Sequence, residues 1–232
     1  MKHYQNPFKT LTKLEWAIWL CSLCCITISF FCVPEQNYMT LLASLIGVTS
    51  LIFLSKGDPL GQMLSVAFSL FYSVISLSYR YYGEMITYLC MTAPMAILAT
   101  LSWFRNPYED GKNEVQVSRV SAKQVAFLVV GAAAATTLFY FILKYFHTTN
   151  LGLSTLSIAT SFVASMLTFF RSPYYALAYG LNDVVLILLW SLATRENPTY
   201  FPMIVCFAIF LGNDCYGFYN WQEIQKRQAS NT

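Results

Sequence analysis

Apolar residues in this chain run in long unbroken stretches. Eight such runs follow one another: Trp16–Val33, Tyr38–Leu54, Leu60–Tyr79, Tyr82–Phe104, Gln124–Tyr145, Leu151–Phe170, Tyr174–Thr194 and Tyr200–Trp221. A bilayer core about 30 Å thick needs about 20 apolar residues in a spanning helix, so each run predicts one. Sharp polar breaks separate them, among them Pro34-Glu35-Gln36-Asn37, Lys56-Gly57-Asp58-Pro59 and Arg195-Glu196-Asn197-Pro198. The runs lack the period-two alternation of a membrane β-barrel. One polar stretch, residues 105–123, has no periodicity and reads as a linker.

The pattern also repeats. Residues 50–59 line up with residues 164–173 at an offset of 114, each ending in a basic residue followed by proline. Further on, Ala99-x3-Trp103 lines up with Gly217-x3-Trp221 at an offset of 118. Each copy holds three spans, and the span Gln124–Tyr145 lies between them. The copies start four helices apart and therefore face the same way across the membrane. This predicts a parallel repeat about an axis along the membrane normal, an arrangement that secondary transporters use with a midplane site. The expected parts are an N-terminal stretch with an extra helix (1–37), a first repeat (38–104), a linker and connecting helix (105–149), a second repeat (150–222) and a tail (223–232).

Composition agrees. Of 232 residues, 56% are hydrophobic and only 11% charged, whereas soluble domains carry about a quarter charged. That deficit argues against a soluble enzyme and a disordered chain. The net charge of +3 argues against a basic nucleic-acid binder. With eight spans both termini share a side, and eleven Lys and Arg fall there against three (Arg80, Lys144 and Arg195) on the other. The positive-inside rule makes the termini cytoplasmic. The first run exceeds the usual length of a secretory signal and reads as a retained helix. The seven cysteines lie in apolar runs. The Cys21-x-x-Cys24 pair therefore reads as small side chains on a spanning helix rather than a metal or redox pair. No phosphate-cradling loop, zinc-protease motif or nucleophile elbow supports an enzyme.

Ionisable side chains deep in a span are costly and tend to face a cavity or a partner. Asp183 sits at the middle of its run beside Asn182, and Asp214 sits deep in the last run beside Asn213. Neighbours on a helix differ by about 100°, so at most one of each Asn-Asp pair is expected to point straight into a cavity. Asp214, Gly217, Phe218 and Trp221 share a helix face on which a flat polar ring could rest. Glu84, four residues after Arg80, reads first as half of a surface ion pair and second as an entrance group.

Tyr82-Gly83-Glu84-Met85, Pro94-Met95, the repeat-ending tryptophans, and the segment from Arg171-Ser172-Pro173-Tyr174 to Tyr216-Gly217-Phe218-Tyr219-Asn220-Trp221 resemble the PnuC family of bacterial vitamin transporters. The resemblance covers about residues 38–221. It implies an all-α fold like that of the SWEET sugar transporters, with eight spans in a 3+1+3 plan behind an extra helix. It also implies a homotrimer in the bacterial cytoplasmic membrane. The implied activity is cofactor-free facilitated diffusion of nicotinamide riboside, an NAD precursor, trapped inside by phosphorylation. The site it implies comprises Tyr72, Tyr88, Asn182, Asp183, Asn213, Asp214, Gly217 and Trp221. Commoner members carry a Gly-Asp-Met-x-x-Asn run where this chain reads Gly83-Glu84-Met85-Ile86-Thr87-Tyr88. Thiamine, riboflavin or deoxynucleosides therefore remain alternative solutes, with proton coupling through Asp183 or Asp214 a second transport reading. A non-transporting membrane scaffold is a third. Phosphate-bearing nucleotides are expected to be excluded, because no run carries a deep Lys or Arg.

Overall fold

The structure, a computed structural model, describes residues 4–33, 37–78, 81–109 and 112–230. Among the described residues, eight helices are long and apolar enough to cross a membrane: α1 (Lys13–Phe31), α2 (Tyr38–Ser55), α3 (Pro59–Ser78), α4 (Tyr82–Arg105), α5 (Ala122–Tyr145), α6 (Leu151–Phe169), α7 (Tyr175–Glu196) and α8 (Phe201–Ser230). Among the described residues there is no strand beyond an isolated bridge between Pro107 and Val115. The break residues Pro34–Gln36 and the Arg80 side of the expected ion pair lie outside the described residues.

Local chemistry sets the helix ends. Thr12 with Glu15, and Ser121 with Gln124, form capping boxes that satisfy orphan N–H groups at the starts of α1 and α5. The Asn37 side chain accepts from Met39 N–H and Thr40 N–H at the start of α2. Helix α4 contains a π-helical turn, Tyr88–Thr92, just before Pro94. There the Ala93 N–H reaches back to the Tyr88 carbonyl, widening the helix where proline supplies no donor.

The expected repeat is visible in the hydrogen bonding. The turns after α2 and α6 share one form. Gly57 and Arg171, 114 residues apart, both adopt the left-handed conformation, with φ of 69° and 57°. Each turn closes through matching bonds, Gly57 N–H to Leu54 C=O and Arg171 N–H to Thr168 C=O, both 2.9 Å. The tryptophans then cross between the repeats. Trp103 Nε1 donates to Thr168 O at 3.0 Å, and Trp221 Nε1 donates to Leu54 O at 2.8 Å. Their chain neighbours do the same: Ser102 Oγ donates to Phe169 O, and Asn220 Nδ2 to Ser55 O. Donors are 118 apart and acceptors 114 apart, matching the sequence offsets. Helix α2 thus packs on α8 as α6 packs on α4.

Three segments lie outside this symmetry. Helix α1 straps α2 to α8: Trp19 Nε1 donates to Thr49 Oγ1 (3.1 Å), and the buried Glu15 takes Lys56 Nζ (3.2 Å) and Tyr216 OH (2.9 Å). Helix α5 packs mainly on α6 and buries only Phe139 and Leu143. Residues 106–121 are more than a free linker. Val115 N–H bonds Gly57 O and Ser118 N–H bonds Arg171 O, so the segment clips both turns. Helix α8 runs nine residues past the expected span end at Trp221, because Gln228 binds that clip at Glu114, Val115 and Val117.

Two predictions follow from these contacts. Trp103→Phe and Trp221→Phe should each destabilise the detergent-purified protein by about 0.5–1.5 kcal/mol, the net worth of one hydrogen bond, and by similar amounts. Thermal unfolding of the two variants checks this. A large inequality would argue against the equivalence of the two crossings. The second concerns Asp58, whose carboxyl is held by Tyr4 OH, Leu60 N–H (2.9 Å) and Asn113 Nδ2 (2.9 Å). Burial pushes this carboxyl up from the ordinary aspartate range. A raised carboxyl binds its proton more tightly folded than unfolded. Its stabilisation is full below the ordinary range and is lost as pH rises through the folded value. Asp58→Asn should remove that component from the pH profile of thermal unfolding.

Candidate functional site

Between the two repeats lies a cavity of about 60 Å³. It is lined from α2 by Gly47, Ser50, Leu51 and Leu54, from α3 by Ser65, Phe68 and Ser69, and from α4 by Tyr88 and Thr92. Opposite stand Ser161 of α6, Tyr179, Asn182 and Asp183 of α7, and Phe207, Phe210 and Asp214 of α8. Many of these positions are repeat partners. Gly47 with Ser161, Ser65 with Tyr179, Phe68 with Asn182 and Ser69 with Asp183 are each 114 apart; Thr92 and Phe210 are 118 apart. The backbone around the cavity is therefore pseudo-twofold while its chemistry is not. Both carboxyl groups and the amide come from the second repeat.

Four of the eight expected site residues meet here: Tyr88, Asn182, Asp183 and Asp214. Both members of the first Asn-Asp pair line the cavity, whereas only Asp214 of the second does. The cavity wraps the α7 surface, and flanks 100° apart both reach it. Asn182 Oδ1 accepts from Thr160 Oγ1 (2.8 Å) and Ser161 Oγ (2.9 Å), which orients the amide. Asp183 of α7 and Asp214 of α8 are both buried and line the same cavity. One Asp183 oxygen, Oδ2, is buried with no partner among the described residues.

The other four expected residues are placed elsewhere. Asn213 Nδ2 donates to Ser22 Oγ of α1 (3.1 Å) and to Ile209 O, which turns the residue away from the cavity. Gly217 sits against Ala176, Tyr175 and Ser55 where α8 meets α2 and α7. Trp221 is fully buried, its N–H committed to Leu54 O and its ring 4.8 Å from that of Tyr175. The shared face of Asp214, Gly217 and Trp221 is real, but only its Asp214 end reaches the cavity. Tyr72 stands behind the lining: it accepts from Trp190 Nε1 (2.8 Å) and packs against Tyr88 with ring centres 4.3 Å apart. Glu84 is not at the surface. It is buried, and its Oε1 accepts from Ser157 Oγ at 2.8 Å. Its polar partner is on α6, because the start of α4 turns inward against that helix.

Sequence reasoning missed the cavity's hydroxyls and aromatics, Ser65, Phe68, Ser69 and Phe210 among them. The repeat offset was the available signal: carrying Asn182 and Asp183 back by 114 lands on Phe68 and Ser69.

A family model described as "Nicotinamide mononucleotide transporter" matches residues 37–223. This chain belongs to the PnuC family. Two relatives are nicotinamide riboside transporters named PnuC. The one from Neisseria mucosa is 24% identical over 219 residues, covering 92% of this chain and 82% of the relative. The one from Haemophilus influenzae is 24% identical over 212 residues, covering 90% of each chain. A crystal structure of the vitamin B3 transporter PnuC superposes with a TM-score of 0.81 at 22% identity, covering 94% of both chains. The PnuC fold is thus shared along nearly the whole length.

A cavity of this size holds a few waters, whereas sites for drug-sized solutes run to about 300–1,000 Å³. Gly47 sets part of this limit: a Cβ there would lie 2.3 Å from Phe210 Cζ. Gly47→Ala should drive the Phe210 ring into the cavity. The expected outcome is a loss of about 1–3 kcal/mol of stability from overpacking and solute uptake reduced well beyond what the drop in folded protein explains. Parallel thermal unfolding and liposome uptake check this.

Proposed function

We propose that this protein takes up nicotinamide riboside by facilitated diffusion, with the solute trapped inside by phosphorylation. The observation that carries this reading is the cavity itself. It lies between two three-helix bundles, residues 38–104 and 150–222, that meet through equivalent tryptophan bonds, and its walls offer a polar side and an aromatic side. Rocking the bundles about this seam exposes the cavity to each face in turn. Tyr88, Asn182, Asp183 and Asp214 contact the solute directly. Tyr72 backs Tyr88, and Asn213, Gly217 and Trp221 hold α8 in place.

The termini face the cytoplasm, in line with eleven basic residues on that side against three. The protein sits in the bacterial cytoplasmic membrane as a homotrimer. The riboside is favoured over the mononucleotide because no described Lys or Arg is buried, and the basic residues of the helices stand at their ends. A phosphate at mid-membrane depth would have no cation to pair with.

Uptake of labelled nicotinamide riboside into liposomes holding the purified protein tests this reading. Unlabelled riboside should compete, and the mononucleotide, thiamine and deoxynucleosides should not. Asn182→Ala removes an oriented amide, and the half-saturation concentration should rise about tenfold, the worth of one good hydrogen bond. Uptake of thiamine or a deoxynucleoside instead of the riboside would overturn the substrate while leaving the mechanism; absence of any uptake would overturn the mechanism.

A further inference from the structure

Two independent features of the cavity share one electrostatic sign. The first is the carboxyl pair. Asp183 and Asp214 are both buried, on neighbouring helices, and line the same cavity. With one proton shared, such a pair holds one negative charge. One oxygen of Asp183, a residue that lines the cavity, is buried with no partner among the described residues. The second is the aromatic wall. Phe68, Tyr88, Phe207 and Phe210 line the same small space, with the Phe68 ring 5.4 Å from Phe210 and 6.1 Å from Tyr88. Aromatic faces attract cations, most strongly where water is excluded. A third carboxyl, Glu84, is buried toward the end away from the termini, and one of its oxygens also lacks a partner among the described residues. No described Lys or Arg is buried to offset these groups.

We propose that this site selects its solute by a fixed positive charge, with the Asp183–Asp214 pair as counter-charge and the aromatic wall as the surface on which a cationic ring lies. The inference rests on the functional reading above and sharpens it. A pyridine ring bonded to a sugar through its nitrogen is quaternary, so nicotinamide riboside carries one positive charge. Its 1,4-dihydro form has almost the same shape and none. A charge taken from water into the membrane interior is costly unless paired. The pair lowers that cost for the cation. For a neutral ring it offers only an unmatched charge. Each uptake cycle then moves one elementary charge.

The first test uses wild-type protein in liposomes under an imposed potassium diffusion potential. At about 60 mV, inside negative, labelled riboside should accumulate about tenfold at equilibrium, as one moving charge requires. The dihydro form should compete at least tenfold less well than the riboside. The second test is thermal stabilisation of the detergent-purified protein by 1-methylnicotinamide, a quaternary ring without ribose, against its neutral 1,4-dihydro form. Only the cation should stabilise. Asp183→Asn and Asp214→Asn should cut the preference for charged over neutral ring to about twofold or less.

Accumulation indifferent to potential would overturn uniport of the cation, the reading on which the inference rests, whereas equal competition by the two ribosides would overturn the charge inference and leave riboside transport standing. Cation-selective stabilisation by 1-methylnicotinamide without riboside uptake would do the reverse. Because the wild-type measurements compare solutes alone, poor folding of either aspartate variant does not rescue the proposal.

Discussion

In a bilayer, a polar group turned away from the helix axis must find its partner inside the protein. In this chain that demand is met most visibly where the two repeats meet. Each repeat ends in a tryptophan whose indole N–H reaches a carbonyl at the turn of the other repeat, Trp103 to Thr168 and Trp221 to Leu54. The two rings come within 5.4 Å of each other near the pseudo-twofold axis. The seam is therefore reciprocal. Each half satisfies the other's turn, and the central cavity lies between the same helices that the seam brings together.

Symmetric scaffolding does not impose symmetric chemistry. The positions equivalent to Asn182 and Asp183 carry Phe68 and Ser69, and the position equivalent to Asp214 carries Ala96. One half contributes mostly rings and hydroxyls, and the other adds the carboxyl groups and the amide. The expense of burying acidic groups in a membrane protein is tolerated where they meet each other or a cavity, and Asp183 and Asp214 line the same one.

The segments outside the repeat bind the end that bears the termini. Helix α1 holds α2 and α8 through Glu15, Trp19 and Ser22, spaced over about two turns. The 106–121 clip bonds both turns and the end of α8. Motion between the repeats therefore has to carry or loosen these contacts, whereas the opposite end is held more by rings, Tyr72, Tyr81, Tyr88 and Trp190 among them.

Eight spans, their order and the internal repeat were legible in the sequence alone, because hydropathy and offset are properties of the chain in one dimension. Asp183 and Asp214 could be singled out for the same reason: a carboxyl at the middle of an apolar run is conspicuous wherever the helix turns. The partner of each polar side chain was not legible. Asp214, Gly217 and Trp221 share a helix face, yet the first reaches the cavity and the last is sealed against a turn of α2. Glu84 could be expected at the surface from its place near a helix end, but it is buried against Ser157, 73 residues away. Asn213 and Asp214 are chain neighbours, and only the contact of α8 with α1 on one flank and α7 on the other separates their roles. Depth in the membrane is written along the chain. Facing is decided by which helix stands opposite, and that depends on packing among segments far apart in sequence.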